Sequence, residues 1–327
     1  MYESSVTNAV IGIIAPARNC TTGTHFEAVD QQRISTACEA FRRQGWLVKE
    51  ASNLYGLHQR FAGTDRQRAE GVMQIFSDTD VDLVLSVRGG YGTARILPLI
   101  DWDLMRASRA VLMGLSDITA LNLALLAKCG RASWQGPVAG WFAQENLGRD
   151  RAFVRAMTEP DFYLETSAFG DEVEVDGVIW GGNLTVLTSL VGTEYFPEID
   201  DGILFIEDIA EPAWRIERML DQLVNNGILA RQKLIVVGEM IGAEVAEGRG
   251  QGRFTLEDAL GYIQEKTGLP IIQGLHFGHV PDTLVLPVGV EANVRLQGEK
   301  LTIYTGNAPV PTCVPWLETA RHALWWM

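Results

Sequence analysis

With 327 residues, the chain is long enough for two domains, each with its own core, and its 47% hydrophobic and 21% charged residues are ordinary for a globular protein. The formal net charge of −14 argues against nucleic acid and against an anionic membrane as partners, because both select basic surfaces. The cysteines are scattered and contain no CxxC pair, which favours reduced thiols over a disulfide framework or a zinc site: Cys20, Cys38, Cys129 and Cys313.

The N-terminal segment predicts a first strand rather than a targeting signal. Its one short apolar run follows an acidic residue and no basic region, unlike a signal peptide. No stretch approaches the roughly 20 apolar residues that a membrane span requires. We therefore expect a cytoplasmic protein.

The first half of the chain alternates buried strands with amphipathic helices, which indicates a mostly parallel, doubly wound α/β sheet. Ligands of such sheets bind at the carboxyl ends of the strands. Apolar runs predict strands at 10–15, 46–50, 81–87 and 110–113, and helical spacing predicts helices over 25–44, over 64–78 and from about 118.

Composition changes after about residue 147, where a charged stretch is interrupted by Pro160 and Gly170. We therefore divide the chain into an N-terminal domain (1–150), a linker (151–172) and a C-terminal domain (173–327). The C-terminal domain has predicted strands at 203–206, 234–238 and 270–272, helices over 184–191, 214–224 and 256–267, and antiparallel strands within 283–304.

Two turns follow predicted strands of the first half. Gly89 and Gly90 come after one apolar run, and Ser116 lies between another run and a helix. A serine in that position, close to a glycine-rich turn, suits a nucleophile with a nearby oxyanion hole. The alternative is a helix cap and an ordinary turn. The glycine turn matches neither GxGxxG nor a P-loop, so a dinucleotide role is not favoured.

Two further groups are candidates for acid–base chemistry. His279 lies with His276 in a glycine-rich loop after a predicted strand, where a histidine is either a general base or a surface residue. Zinc binding by this pair is not favoured, because the two lack helical spacing and a third ligand. Glu207 directly follows an apolar strand, where a carboxylate can orient an imidazole, cap a helix or pair with Arg215 or Arg218.

A series of motifs occurs in an order that closely resembles the LD-carboxypeptidase family of serine peptidases, which includes the microcin C self-immunity peptidases. The resemblance extends from residue 13 to residue 289. The motifs are RGGYG at 88–92, GLSDITAL at 114–121, GGNL at 181–184, LFIED at 204–208, RIERML at 215–220, FGH at 277–279 and LPVG at 286–289.

The resemblance implies a Ser-His-Glu triad, with Ser116 as nucleophile, His279 as base and Glu207 as the group that orients the base. It also implies an oxyanion hole of backbone N–H groups, from Gly89 or Gly90 and from Asp117. The implied fold is a Rossmann-like N-terminal domain and a smaller β-rich C-terminal domain, with the triad between them.

The activity that the resemblance implies is hydrolysis of the bond to terminal D-alanine in cytoplasmic murein tetrapeptides, after diaminopimelate or lysine, without metal or organic cofactor. A homodimer is expected on the same ground. An alternative within this chemistry is an amidase acting on peptidyl- or aminoacyl-nucleotides, as the microcin-immunity relatives do. A third reading is a non-catalytic two-domain binding protein that keeps the fold alone.

An exopeptidase also has to hold a free carboxylate, and a fixed cation suits that task. Arg88, Arg95 and Arg215 are candidates, with structural ion pairs as the alternative for each. Trp180 is a candidate for the pocket lining, and Trp134 or Trp180 for an aromatic shelf under a base, although packing is the default role of Trp180. The chain has Gln135 where the family commonly has a histidine, which bears on the lining or packing of the site rather than on the triad.

Overall fold

Five parallel strands form most of the first sheet in the computed structural model, which describes residues 9–20, 31–244 and 253–312. The four inner strands are buried along their whole length, as expected for a parallel sheet covered on both faces. The strands are β1 (Val10–Ile14), β2 (Leu47–Glu50), β3 (Leu83–Ser86), β4 (Val111–Gly114) and β5 (Ser133–Gln135).

Three helices of the first half match the predicted ones, whereas those over 93–96, 102–107 and 147–158 were not predicted. Local capping explains several helix limits. Thr64 and Gln67 form a capping box at the start of one helix, and Gly130 ends another in the left-handed conformation. Part of the predicted helix over 25–44 lies outside the described residues. The helices are α1 (Gln31–Arg43), α2 (Asp65–Ser77), α3 (Thr93–Ile96), α4 (Trp102–Ala107), α5 (Thr119–Cys129) and α6 (Leu147–Thr158).

The second sheet has eight strands, of which four neighbours run parallel, with three antiparallel strands on one side and one on the other. The helices of this half are α7 (Leu184–Ser189), α8 (Ala213–Asn225) and α9 (Leu256–Thr267). The strands of this half are β6 (Phe162–Ser167), β7 (Phe169–Gly170), β8 (Val173–Asn183), β9 (Gly202–Ile209), β10 (Gln232–Ile241), β11 (Ile271–Gln273), β12 (Leu286–Val288), β13 (Val290–Gln297) and β14 (Lys300–Thr305).

The predicted α/β architecture, with a mostly parallel N-terminal sheet and a β-rich C-terminal half, is confirmed. The strand orders are β12-β5-β4-β3-β1-β2 and β6-β14-β13-β8-β9-β10-β11-β7. Within the described ranges, no helix is both long and apolar enough to cross a bilayer.

The boundary between the halves differs from the prediction in two respects. Instead of a linker at 151–172, the chain continues α6 to Thr158 and then forms β6, which pairs with β14. Asn146 caps α6, and the helix buries Phe153 and Met157, so this charged stretch has a packed face. In addition, β12 leaves the C-terminal half and pairs with β5, which joins the two sheets through the backbone.

Candidate active site

The turn after β4 holds Ser116 in an uncommon backbone conformation. Its φ of +65° is left-handed, although the residue has a side chain, and a 3₁₀ turn (Ser116–Ile118) leads from it into α5. Gly89 packs directly against the serine, because a Cβ there would lie 2.7 Å from Ser116 Cβ and 3.0 Å from its Oγ. The glycine turn and the serine therefore meet, as the geometry of a nucleophile beside an oxyanion hole requires.

Asp117 ties the serine turn to the segment that follows the glycine turn. Its Oδ2 accepts hydrogen bonds from the Thr93 N–H at 2.8 Å and from the Thr93 hydroxyl at 2.7 Å. The side chain is buried, and desolvation raises the pKa of its carboxyl. The Asp117 side chain thus holds the serine turn against Thr93. The predicted oxyanion role concerns only the Asp117 backbone N–H.

Glu207 and His279 form a close pair in which the carboxylate is buried and the imidazole is partly exposed. His279 Nδ1 lies 2.7 Å from Glu207 Oε2, and Glu207 is fully buried within β9 rather than directly after the strand, because β9 continues to Ile209. Asn183 Nδ2 donates to the other carboxylate oxygen at 3.1 Å. An imidazole whose Nδ1–H donates to a carboxylate has Nε2 as its proton acceptor. Arg215, the alternative partner considered for Glu207, pairs instead with Glu211 at 2.8 Å.

One cavity of about 560 Å³ joins these parts. Ser116 and Gly89 lie on its wall together with His279, so the predicted nucleophile and base face the same space. Glu207 lies behind His279. The other residues that line the cavity are Arg33, Arg88, Gly90, Leu115, Val138, Trp141, Gln144, Arg149, Ile209, Ile241, Val280 and Pro281.

The predicted substrate-binding residues separate into two groups. Arg88 lines the cavity beside the glycine turn. Arg95 pairs with Asp65 at 2.8 Å outside the lining, and Arg215 is likewise outside it. The structure thus brings one of the three arginine candidates to the cavity.

The prediction that Trp180 lines the pocket is wrong. Trp180 is fully buried in the core, where its Nε1–H donates to Gln232 Oε1 at 2.8 Å and its ring packs edge-on against Phe196. Trp180 lies on β8, a strand inside the second sheet, and its contacts with Phe196 and Gln232 fix the ring in the core. Gln135 is also fully buried outside the cavity lining and donates to Thr119 Oγ1 at 2.8 Å, so its departure from the family pattern affects packing.

Sequence reasoning missed the cavity wall formed by Arg33, Trp141 and Arg149. Arg33 Nε donates to the Gly140 carbonyl at 2.9 Å, which joins α1 to the 3₁₀ turn Ala139–Ala143. The signals available in the sequence were Trp141 and Arg149, which follow the carboxyl end of β5. Among the described residues that line the cavity there are three arginines and no carboxylate, although the chain carries a net charge of −14. The guanidinium of Arg149 is paired with the buried Asp150 carboxylate at 2.7 Å, so the positive charge of this wall is partly neutralised.

His276 belongs to a separate cluster. Its Nδ1 lies 3.0 Å from Glu239 Oε1 and its Nε2 lies 2.8 Å from Asp282 Oδ1, so both ring nitrogens are engaged. His279 is therefore the loop histidine that faces the cavity. No group of three or more histidine, cysteine, aspartate or glutamate side chains suited to a metal ion occurs in the described part of the chain.

The His276 cluster predicts a pH dependence of stability. Hydrogen bonds to Asp282 and Glu239 raise the pKa of His276. Because the pKa of His276 is higher in the folded than in the unfolded protein, protonation of His276 stabilises the folded state. This stabilisation is complete below the unfolded pKa of about 6.5 and is lost as the pH rises through the pKa of the folded state. We expect the difference in free energy of unfolding between wild type and His276→Gln to be largest near pH 5 and to shrink towards pH 9. Urea denaturation across this range measures it, and a constant difference would contradict the prediction.

The fold and the cavity define a class of two-sheet α/β proteins whose candidate site holds a serine on one side and a histidine–carboxylate pair on the other. Residues 11–136 match the LD-carboxypeptidase N-terminal domain, and residues 176–294 match the LD-carboxypeptidase C-terminal domain. The chain belongs to the LD-carboxypeptidase family.

Individual relatives agree with this assignment. A putative carboxypeptidase from Streptomyces coelicolor is 31% identical, over 89% of this chain and 94% of the relative. The microcin C7 self-immunity protein of Escherichia coli is 26% identical, over 74% of this chain and 79% of the relative. The crystal structure of muramoyltetrapeptide carboxypeptidase from Oxalobacter formigenes superposes with a TM-score of 0.82 at 32% identity, over 93% of this chain and 100% of that chain.

Proposed function

We propose that this protein is a serine carboxypeptidase that hydrolyses the L,D bond to the terminal D-alanine of murein tetrapeptides, in the cytoplasmic recycling of peptidoglycan. The observation that carries the proposal is the 2.7 Å contact between His279 Nδ1 and Glu207 Oε2, with His279 on the wall of the cavity that Ser116 also lines. The relative from Oxalobacter formigenes, described as a muramoyltetrapeptide carboxypeptidase, supports this choice of substrate.

The proposed reaction runs through an acyl-enzyme. Ser116 Oγ attacks the carbonyl carbon of the third residue, diaminopimelate or lysine, while His279 Nε2 takes the hydroxyl proton. Backbone N–H groups of Asp117 and of Gly89 or Gly90 stabilise the oxyanion, and Glu207 stabilises the imidazolium. His279 then gives its proton to the departing D-alanine amine. A water molecule activated by His279 hydrolyses the ester, and no metal or organic cofactor takes part.

Arg88 is the proposed partner of the terminal carboxylate. It directly precedes Gly89 and lines the cavity, whereas Arg95 and Arg215 do not. In the substrate, a single residue separates the scissile carbonyl from that carboxylate, so the cation has to lie close to the oxyanion hole. Arg88 meets this requirement because it is the residue directly before Gly89, one of the two glycines proposed for the oxyanion hole.

Replacement of Arg88 tests this role. Arg88→Met is expected to lower kcat/KM for the free tetrapeptide about 10- to 100-fold, as for a lost charged hydrogen bond, and to bring it close to that of the C-terminally amidated peptide. Arg215→Met, whose guanidinium pairs with Glu211, is the matched control and should keep the preference for the free carboxylate. An unchanged ratio of free to amidated turnover in Arg88→Met would reject the assignment.

A second candidate function is an amidase that cleaves peptidyl- or aminoacyl-nucleotides. The self-immunity relative suggests it, and Trp141 on the cavity wall is the feature of this chain that favours it, since an aromatic ring can stack on a base. Trp180 and Trp134 are both fully buried and provide no such shelf.

One experiment separates the readings. The protein is incubated with the tetrapeptide and, separately, with an aminoacyl-sulfamoyl adenosine, and the products are followed by mass spectrometry. Release of D-alanine supports the peptidase, and cleavage of the nucleotide conjugate alone supports the amidase. A fluorophosphonate probe that labels Ser116 supports an enzyme. Binding of substrate without turnover or labelling would indicate the non-catalytic binding protein and overturn the proposal.

Cytoplasmic location and homodimer formation are proposed with the function, on the family resemblance. Fractionation of the source cells tests the location. Light scattering coupled to size-exclusion chromatography tests the dimer.

A further inference from the structure

Asn183 lies between the two carboxylates at the end of β9. Its Nδ2 donates to Glu207 Oε1 at 3.1 Å and to Asp208 Oδ1 at 3.0 Å. The residue is 4% exposed, and Glu207 and Asp208 are buried as well, so both hydrogen bonds are shielded from water. Both amide protons of Asn183 are thus used to hold buried carboxylates.

The backbone of Asn183 reaches the element that carries the candidate nucleophile. Its N–H donates to Thr119 Oγ1 at 3.0 Å, and Thr119 is the first residue of α5, shortly after Ser116. This approach requires Gly182, where φ is +139° and a Cβ would lie 2.6 Å from Thr119 Oγ1. Asn183 therefore joins the helix that follows the serine to the carboxylate that faces the imidazole.

We propose that Asn183 is a positioning residue of the site. Its amide fixes the rotation of the Glu207 carboxylate so that Oε2 faces His279, and its backbone sets the distance from that pair to the Ser116 turn. The terminal torsion of a glutamate is otherwise broad, whereas a carboxylate held at one oxygen by Asn183 and at the other by His279 has one orientation. The inference rests on the proposed serine mechanism.

The test has to separate positioning from helix capping, because Asn183 Oδ1 also accepts the Val186 N–H at 3.1 Å at the start of α7. Asn183→Ser keeps a capping oxygen and removes both amide N–H donors without adding a charge. Thr185→Val is the matched control. It removes the hydroxyl that donates to Asp208 Oδ2 at 2.8 Å and leaves the contact with Glu207 in place.

Steady-state kinetics on the tetrapeptide and thermal denaturation of both variants form the first experiment. Asn183→Ser is expected to lower kcat about tenfold or more with KM nearly unchanged, since a misplacement of about 1 Å can cost about 100-fold in rate. Thr185→Val should keep the wild-type kcat, whatever its effect on Tm. An unchanged kcat in Asn183→Ser, or equal losses of kcat in the two variants, would overturn the proposal.

A second pair of variants applies if Asn183→Ser does not fold. Thr119→Val removes the oxygen that accepts from the Asn183 N–H and from Gln135 Nε2, and Thr119→Ser restores that oxygen. We expect the valine variant to lose kcat and the serine variant to recover it, whereas equal kcat values in the two would overturn the proposal.

Ser116→Ala separates the proposed serine mechanism from the proposed role of Asn183. Activity in that variant would remove the serine mechanism, and an inactive Ser116→Ala with a fully active Asn183→Ser would remove only the role of Asn183.

Discussion

Ser116→Ala is expected to lower kcat for the tetrapeptide by about 10⁴- to 10⁶-fold, the range found when a serine hydrolase loses its nucleophile. The remaining turnover would come from the oxyanion hole and from binding, which the variant retains. Since alanine keeps a Cβ at the same left-handed position, folding should change little. Release of D-alanine followed by mass spectrometry measures the effect.

The control for Ser116→Ala is the binding of substrate. The variant should bind the tetrapeptide with an affinity close to that of the wild type and should no longer react with a fluorophosphonate, which isothermal titration and intact-mass measurement report. Turnover at the wild-type rate in a variant without the hydroxyl would refute the acyl-enzyme mechanism.

Glu207→Gln is expected to lower kcat by about 10⁴-fold. The carboxylate that accepts from His279 Nδ1 at 2.7 Å sets the tautomer and stabilises the imidazolium, and an amide does neither reliably. The change also places a second amide against Asn183 Nδ2, which donates to Glu207 Oε1 in the wild type. Single-turnover acylation by the tetrapeptide measures the loss at the chemical step.

The second histidine–carboxylate pair of the same loop provides the matched control. Glu239→Gln makes the equivalent change at His276, where Nδ1 and the Glu239 carboxylate are 3.0 Å apart. We expect Glu239→Gln to keep the wild-type kcat. If Glu239→Gln lost activity and Glu207→Gln did not, the base would be His276 and the assignment of His279 would be wrong.

Several parts of the fold and the site follow from local patterns in the sequence. The apolar runs predict β1, β3 and β4, and the 256–267 helix prediction has the bounds of α9. The positions of Ser116 and Glu207 directly after apolar runs are also local properties. Side-chain periodicity and turn chemistry are decided over a few residues, so one sequence suffices to recognise them.

Other parts depended on which elements pack together. Residues 151–172 were predicted as a linker because of their charge, whereas burial of one helix face and pairing with β14 give them regular structure. Trp180 was a candidate for the pocket lining, whereas its place on β8 directs the ring into the core, where Nε1–H donates to Gln232. Arg33 and Trp141 showed no motif at all, and only the approach of α1 to the turn after β5 brings them to the cavity.

The sequence by itself determined the class of the fold, the resemblance to the LD-carboxypeptidases and the three residues proposed for the chemistry. Tertiary structure alone decided that Glu207 and His279, which are 72 positions apart, lie in contact, and that Arg88 rather than Arg215 borders the same space as Ser116. The reason is physical. Strand and turn preferences act between neighbours in the chain, whereas the register of strands and the packing of helices depend on contacts between residues distant in sequence.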